Sequence, residues 1–137
     1  MRKIFLLLVV VLFCSCSTYK LANTVWYNIS PAELYGEKCN IITSLYFWNE
    51  NTMNINTCIV QDTTILVPAT MTANGSYSAK GNLKKGVEIQ LNVYNTFDNQ
   101  ETYQGIIKKE GMVLVSQDSI ARVYNKVSNA SLIPSKK

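Results

Sequence analysis

The chain contains no histidine. That removes the commonest general base, imidazole metal ligands and the Ser–His and Cys–His nucleophile pairs. Its nine acidic residues are spread singly. Glu50, Asp62, Glu110 and Asp118 fall at turn-like positions, where a solvated carboxylate needs no chemical role. No local spacing sets two acids up as an acid/base pair, and neither Cys39 nor Cys58 has an activating partner close in sequence. There is no Gly-rich phosphate loop. These residue types point away from an enzyme and away from a bound cofactor or metal. The most specific polar pair lies near the C-terminus in "SIARVYNKV", residues 119–127, where Arg122 and Tyr124 alternate with Ala121, Val123 and Val127. An arginine and a tyrosine on one face of a strand can hold an anion if that face lines a cavity.

The elements that would carry such a pair follow from the hydrophobic period, which is two. "VEIQLNV" sets Val87, Ile89, Leu91 and Val93 against Glu88, Gln90 and Asn92, and "TMNINTCIV" sets Met53, Ile55 and Ile59 against Thr52, Asn54 and Asn56. "NTVWYNI", "CNIITSLYFW", "ETYQGIIKK" and "MVLVSQ" are rich in β-branched and aromatic residues. Turn chemistry separates the runs at Asn49-Glu50-Asn51, Gln61-Asp62, Asn74-Gly75, Lys85-Gly86, Glu110-Gly111 and Gln117-Asp118. Only "SPAELYGE", residues 30–37, suits a helical turn, with Ser30 as N-cap and Pro31 as the first helical residue. Pro68 confines "TILVPATM" to an edge, a bulge or a break. Eight to ten short strands read as an all-β sandwich or a closed antiparallel barrel.

A hairpin centred on Glu50 aligns Phe47 with Met53 and Leu45 with Ile55. It then leaves Cys39 and Cys58 on opposite faces of adjacent strands, where a disulfide lacks the right approach. A β-bulge would restore the parity, so a Cys39–Cys58 bridge and two buried thiols both stay open.

The N-terminus, "MRKIFLLLVVVLFCSCS", has the charged start and short apolar run of a secretory signal. Its ending resembles the lipobox of bacterial lipoproteins, with the small Ser15 before Cys16, in a form similar to Bacteroidetes-type signals. The resemblance implies a signal peptide over residues 1–15 and lipidation of Cys16. A lipidated tether follows over 16–22, then one domain over 23–127 and a polar tail over 128–137. Ser17, where an inner-membrane retention signal would place Asp, implies the outer membrane, and the lack of an acidic export tag implies its periplasmic face. The formal net charge is +4, and Arg2 and Lys3 leave with the signal. The remaining lysines are scattered without a basic stripe, which argues against nucleic acid as a partner. Asp62-Thr63-Thr64 and Asp118-Ser119-Ile120 resemble short O-glycosylation sites of Bacteroidetes secreted proteins, although such turns need no modification to explain them. The sequons at Asn28, Asn74 and Asn129 carry little meaning in a bacterial protein.

Trp26 near the start of the first strand, with Arg122 and Tyr124 in the last, resembles the calycin superfamily of lipocalins and fatty-acid-binding proteins. Thr24 stands where that family has glycine, and residues 30–38 are too short for a two-helix lid. The resemblance implies a small up-and-down antiparallel barrel, with Trp26 plugging its closed end. It gives Arg122 two roles: stacking on Trp26, or facing inward with Tyr124 to bind a carboxylate. Against both stands an inner face of Ala121, Val123 and Val127 that leaves Arg122 in water. The penalty for burying an unpaired guanidinium favours the stacked and solvated arrangements. The expected function is non-enzymatic binding of a small, largely apolar ligand, with Tyr46, Trp48, Tyr77 and Tyr94 as mouth or lining aromatics. The alternative is a solid barrel acting as an adaptor or inhibitor on another envelope protein.

Overall fold

The computed structural model describes residues 19–128. The expected signal peptide, Cys16, most of the expected C-terminal tail and Asn129 lie outside the described residues. Eight strands follow one another: β1 (Thr24–Leu34), β2 (Glu37–Phe47), β3 (Thr52–Gln61), β4 (Thr64–Asn82), β5 (Gly86–Asn95), β6 (Gln100–Lys108), β7 (Gly111–Val115) and β8 (Ala121–Lys126). Each pairs antiparallel with the next, and β8 returns to β1 through Trp26–Lys126 and Tyr27–Asn125. The result is a closed up-and-down barrel, one of the two all-β arrangements that the strand rhythm allows.

Alternation explains which residues fill it. Along β5, Val87, Ile89, Leu91 and Val93 are buried and Glu88, Gln90 and Tyr94 are exposed. Leu45 pairs with Ile55 and Phe47 with Met53, the register expected from apolar matching across the Glu50 turn. Each fully buried aliphatic side chain of this kind contributes roughly 1.5–3 kcal/mol.

The two ends of the barrel differ. At one end lie the β2–β3, β4–β5 and β6–β7 turns, and there Trp26, Phe47, Met53, Tyr77, Ile107 and Met112 form part of one buried cluster. The N-terminal segment seals this end. Leu21 is buried, Tyr19 N–H donates to the Gly81 carbonyl at 3.3 Å, and Asn23 N–H to that of Phe47 at 2.7 Å. Lys126 Nζ lies 5.9 Å from the Tyr19 ring centroid, in cation–π range. The expected tether over 16–22 is therefore corrected for its described part: residues 19–22 pack against the barrel. The other end carries the β1–β2, β3–β4, β5–β6 and β7–β8 turns.

Two local expectations are also corrected, and two open alternatives are resolved. Residues 30–34 continue β1 as strand, with Ser30 opposite Ile41 and Pro31 opposite Asn40. Proline is tolerated because β8 reaches β1 only at Trp26 and Tyr27, so the other side of β1 at Pro31 is an edge with no bond to lose. The turn falls instead at Tyr35-Gly36, both with positive φ (52° and 83°), a two-residue link matched to strand twist. Asn74-Gly75 is not a turn but the middle of β4, where a Cβ on Gly75 would meet the Asn92 carbonyl oxygen at 2.1 Å. The glycine serves close approach of two backbones. Pro68 sits on the part of β4 that pairs only with β3, beside register shifts around Ile59, so it is both at an edge and at an irregularity. Finally, Cys39 and Cys58 are free thiols, Cys39 buried and Cys58 half-buried. Ile42 pairs with Cys58 and Asn40 with Val60, so no bulge intervenes to bring the two sulfurs to one face.

Candidate functional site

The open end is hollow. A cavity of about 480 Å³ is floored by Leu45, Ile55, Ala73, Leu91 and Leu114 and walled by threonines, Tyr103, Glu101, Arg122 and Tyr124. Its size lies within the range of about 300–1,000 Å³ usual for small-molecule sites. Phe97, in the β5–β6 turn, stands at the rim and is largely exposed.

The position of Arg122 follows from β8 alternation. Arg122 pairs with Leu114 and Tyr124 with Met112, and both partners are buried inside the barrel. Ala121 and Val123 point outward and are exposed. The reading that set Ala121, Val123 and Val127 inside and Arg122 in water is therefore corrected. Stacking on Trp26 is corrected too, because Trp26 is level with Lys126 and Arg122 lies four residues nearer the mouth. A guanidinium is tolerated there because the cavity is open to water and the burial penalty is only partly incurred.

Trp26 itself is 3 % exposed, and its indole N–H donates to Thr24 Oγ1 at 3.1 Å. Thr24 Oγ1 in turn donates to the Leu21 carbonyl at 2.6 Å. Thr24 thus satisfies the indole and anchors the sealing segment.

Of the four other aromatics expected at the mouth or lining, none lines this cavity. Tyr77 is buried at the closed end, edge-on to Phe47 at 4.8 Å between ring centroids, with its hydroxyl donating to the Asn49 carbonyl at 2.5 Å. Tyr46, Trp48 and Tyr94 alternate with buried Leu45, Phe47 and Val93, so they point outward. Aromatic character alone did not reveal facing; parity within each strand did.

Glu101 and Tyr103 are among the wall residues that sequence reasoning missed. Their signal was available: in "ETYQGII" they share parity with Gly105 and Ile107, and Ile107 is fully buried. Tyr103 Oη donates to Glu101 Oε2 at 2.7 Å, and Asn95 Nδ2 donates to Glu101 Oε1 at 2.9 Å. Both carboxylate oxygens are therefore occupied. Among the described residues, neither the Arg122 guanidinium nor the Tyr124 hydroxyl has a hydrogen-bond or ion-pair partner. The site holds one engaged anion and one cation left to face the cavity.

The electrostatics agree with this division. Burial pushes the Tyr103 phenol far up, the Glu101 hydrogen bond and charge add to it, and Arg122 opposes. Burial also raises Tyr124, with Arg122 pulling it part of the way back. In the neighbouring β7–β8 turn, a hydrogen bond from Ser116 holds Asp118 below the usual carboxylate range against a smaller desolvation effect. Backbone donors of that turn and Arg122 lower it further. The arrangement can bind a molecule with an apolar body and one acceptor or anionic group: Arg122 supplies charge-assisted donors and Tyr124 a hydroxyl. No group of three or more Cys, Asp or Glu side chains suited to a metal ion occurs among the described residues. No protein-family model matches the chain, and no curated protein or solved structure matches it.

Proposed function

We propose that the protein is a non-enzymatic binding protein that takes a small, largely apolar ligand into the open end of its barrel. A polar or anionic group of the ligand meets Arg122 and Tyr124. The observation that carries this reading is the unpaired Arg122 on the wall of a cavity of about 480 Å³ whose floor is aliphatic. Lipidation at Cys16 and anchoring to the periplasmic face of the outer membrane belong to the same proposal, supported by the lipobox-like "CSCS" ending. The N-terminal segment meets the barrel at its closed end. An anchor there would hold the mouth away from the membrane surface, towards solutes. Native mass spectrometry of the protein purified from its own envelope tests the reading. A co-purifying small molecule that Arg122→Ala no longer retains is expected; empty spectra for both forms would overturn it.

A second reading, contact with another envelope protein, has one observation in its favour. Ile106, Val113 and Val123 form a cross-strand row on the outer face of β6–β8, and all three are exposed. A stable protein partner lost on Val113→Lys, with no small molecule found, would promote it.

A further inference from the structure

The outer face of β2–β6 is unlike an ordinary solvated sheet. Its outward positions run from Ser44 to Trp48 on β2 and its extension, Thr52 to Asn56 on β3, Asn74 to Ser78 on β4, Gln90 to Tyr94 on β5, and Gln100 to Gln104 on β6. Not one of these side chains is charged. Soluble surfaces normally place charge at about a quarter to a third of their positions. Here the charges on these strands' outer face stand at its margins, Lys80, Glu88 and Lys108 towards the closed end and Lys38 at the open-end start of β2. Hydroxyls and carboxamides replace them.

Aromatic rings are set into this neutral field at fixed places. Tyr46 and Trp48 are nearly parallel, with centroids 5.7 Å apart and 19° between planes. The indole is held by its N–H donating to Asn54 Oδ1 at 3.0 Å, yet Trp48 is 57 % exposed. Across the sheet, Tyr46, Asn54, Asn74 and Tyr94 form one cross-strand row, and Tyr94 is 51 % exposed. At roughly 4.8 Å per strand, the row separates the two tyrosine backbones by about 14 Å, with two asparagines between them. Neighbouring carboxamides engage one another only at long range, Asn54 to Asn56 at 3.4 Å and Gln90 to Asn92 at 3.3 Å, and each amide has further donor or acceptor capacity that a ligand can use beside these bonds and the indole's.

We infer that this face binds a neutral oligosaccharide. A pyranose ring has C–H groups on its faces and hydroxyls round its edge. The first suit an exposed aromatic ring and the second suit carboxamides. A face without charge offers nothing to a nucleic acid, an anionic lipid or an acidic glycan. Exposed rings locked in place lose little freedom on binding, which favours a stacking ligand. The site is on the outside of the barrel and does not depend on the interior cavity.

The test presents the full chain, in detergent, to an array of neutral oligosaccharides of mixed linkage, with uronic-acid and sulfated oligosaccharides as the comparison. The best neutral binder is then titrated by isothermal calorimetry against the native chain and each variant, with the emission of the exposed Trp48 as a second readout for the native chain and Arg122→Ala. Binding to neutral members is expected, weakened about tenfold by Trp48→Ala, as befits loss of one stacking platform, and largely kept by Trp48→Phe. Arg122→Ala should leave it unchanged. Binding confined to acidic members, no binding to any member, or binding indifferent to Trp48→Ala would overturn the inference. So would a concentration-dependent dimer of the native chain that Trp48→Ala abolishes, since the face would then belong to a second copy.

Discussion

Arg122 shows how much a single residue's meaning depends on facing. Type and spacing marked it as the most specific polar candidate, but an alternating strand has two faces and the sequence of β8 alone does not choose between them. The choice is made by their partners on the preceding strand, Leu114 and Met112, whose burial goes with Arg122 and Tyr124 facing inward. Glu101 and Tyr103 were passed over because their strand was read for its apolar run and not for its parity. Two predictions belong at this scale. Tyr77, Tyr103 and Tyr124 all have phenols raised by burial in the folded state. Their contribution is intact below the unfolded phenol value of about 10 and is lost as pH rises through the folded values. Unfolding midpoints should fall above about pH 10, and Tyr103→Phe should flatten that fall. A midpoint that stays level through strong alkali would contradict the assigned burial. The cysteines give the second. With Cys39 buried and Cys58 half-buried and both free, a thiol reagent followed by peptide mapping should label Cys58 first and Cys39 only after unfolding. A Cys39–Cys58 cross-linked peptide from the unreduced protein would refute the free-thiol assignment.

At the scale of elements, strand existence and type were legible because period-two alternation is a direct consequence of one buried and one solvated face. The β2–β3 register was legible too, since only one alignment puts Phe47, Leu45, Met53 and Ile55 together. What misled were local signals that tertiary context overrides. Ser30-Pro31 looks like a helix start, yet Ser30 and Pro31 pair across from Ile41 and Asn40. Asn74-Gly75 looks like a turn, yet the glycine is there because the β5 backbone presses against it. This last point is testable. Gly75→Ala must displace β4 from β5, and a destabilisation of about 1–3 kcal/mol is expected, read as a lowered thermal midpoint. An unchanged midpoint would show that the close approach is not maintained. The sealing segment offers a parallel case: Leu21→Ala should destabilise by about 2–5 kcal/mol although it precedes the first strand. Indifference to that substitution would return residues 19–22 to the status of a tether.

For the whole molecule, the division of labour lies between the two ends of one barrel. The closed end is filled by aromatic and aliphatic side chains and by the N-terminal segment, and the open end keeps a cavity with a cation on its wall. Strand count could not distinguish a filled from a hollow barrel; the difference comes from small residues towards the mouth, Thr43, Thr57, Thr72 and Ala73, where the closed end has Phe47, Met53 and Tyr77. The central claim is that this cavity takes an apolar molecule through Arg122. An anionic apolar fluorophore, anilinonaphthalene sulfonate, tests it by titration of the native chain against Arg122→Ala and Trp48→Ala. Saturable binding at one site is predicted, at least roughly tenfold weaker in Arg122→Ala, the usual scale for a hydrogen bond to a charged group, and unchanged in Trp48→Ala. No saturable binding, or equal affinity with and without the guanidinium, would contradict it.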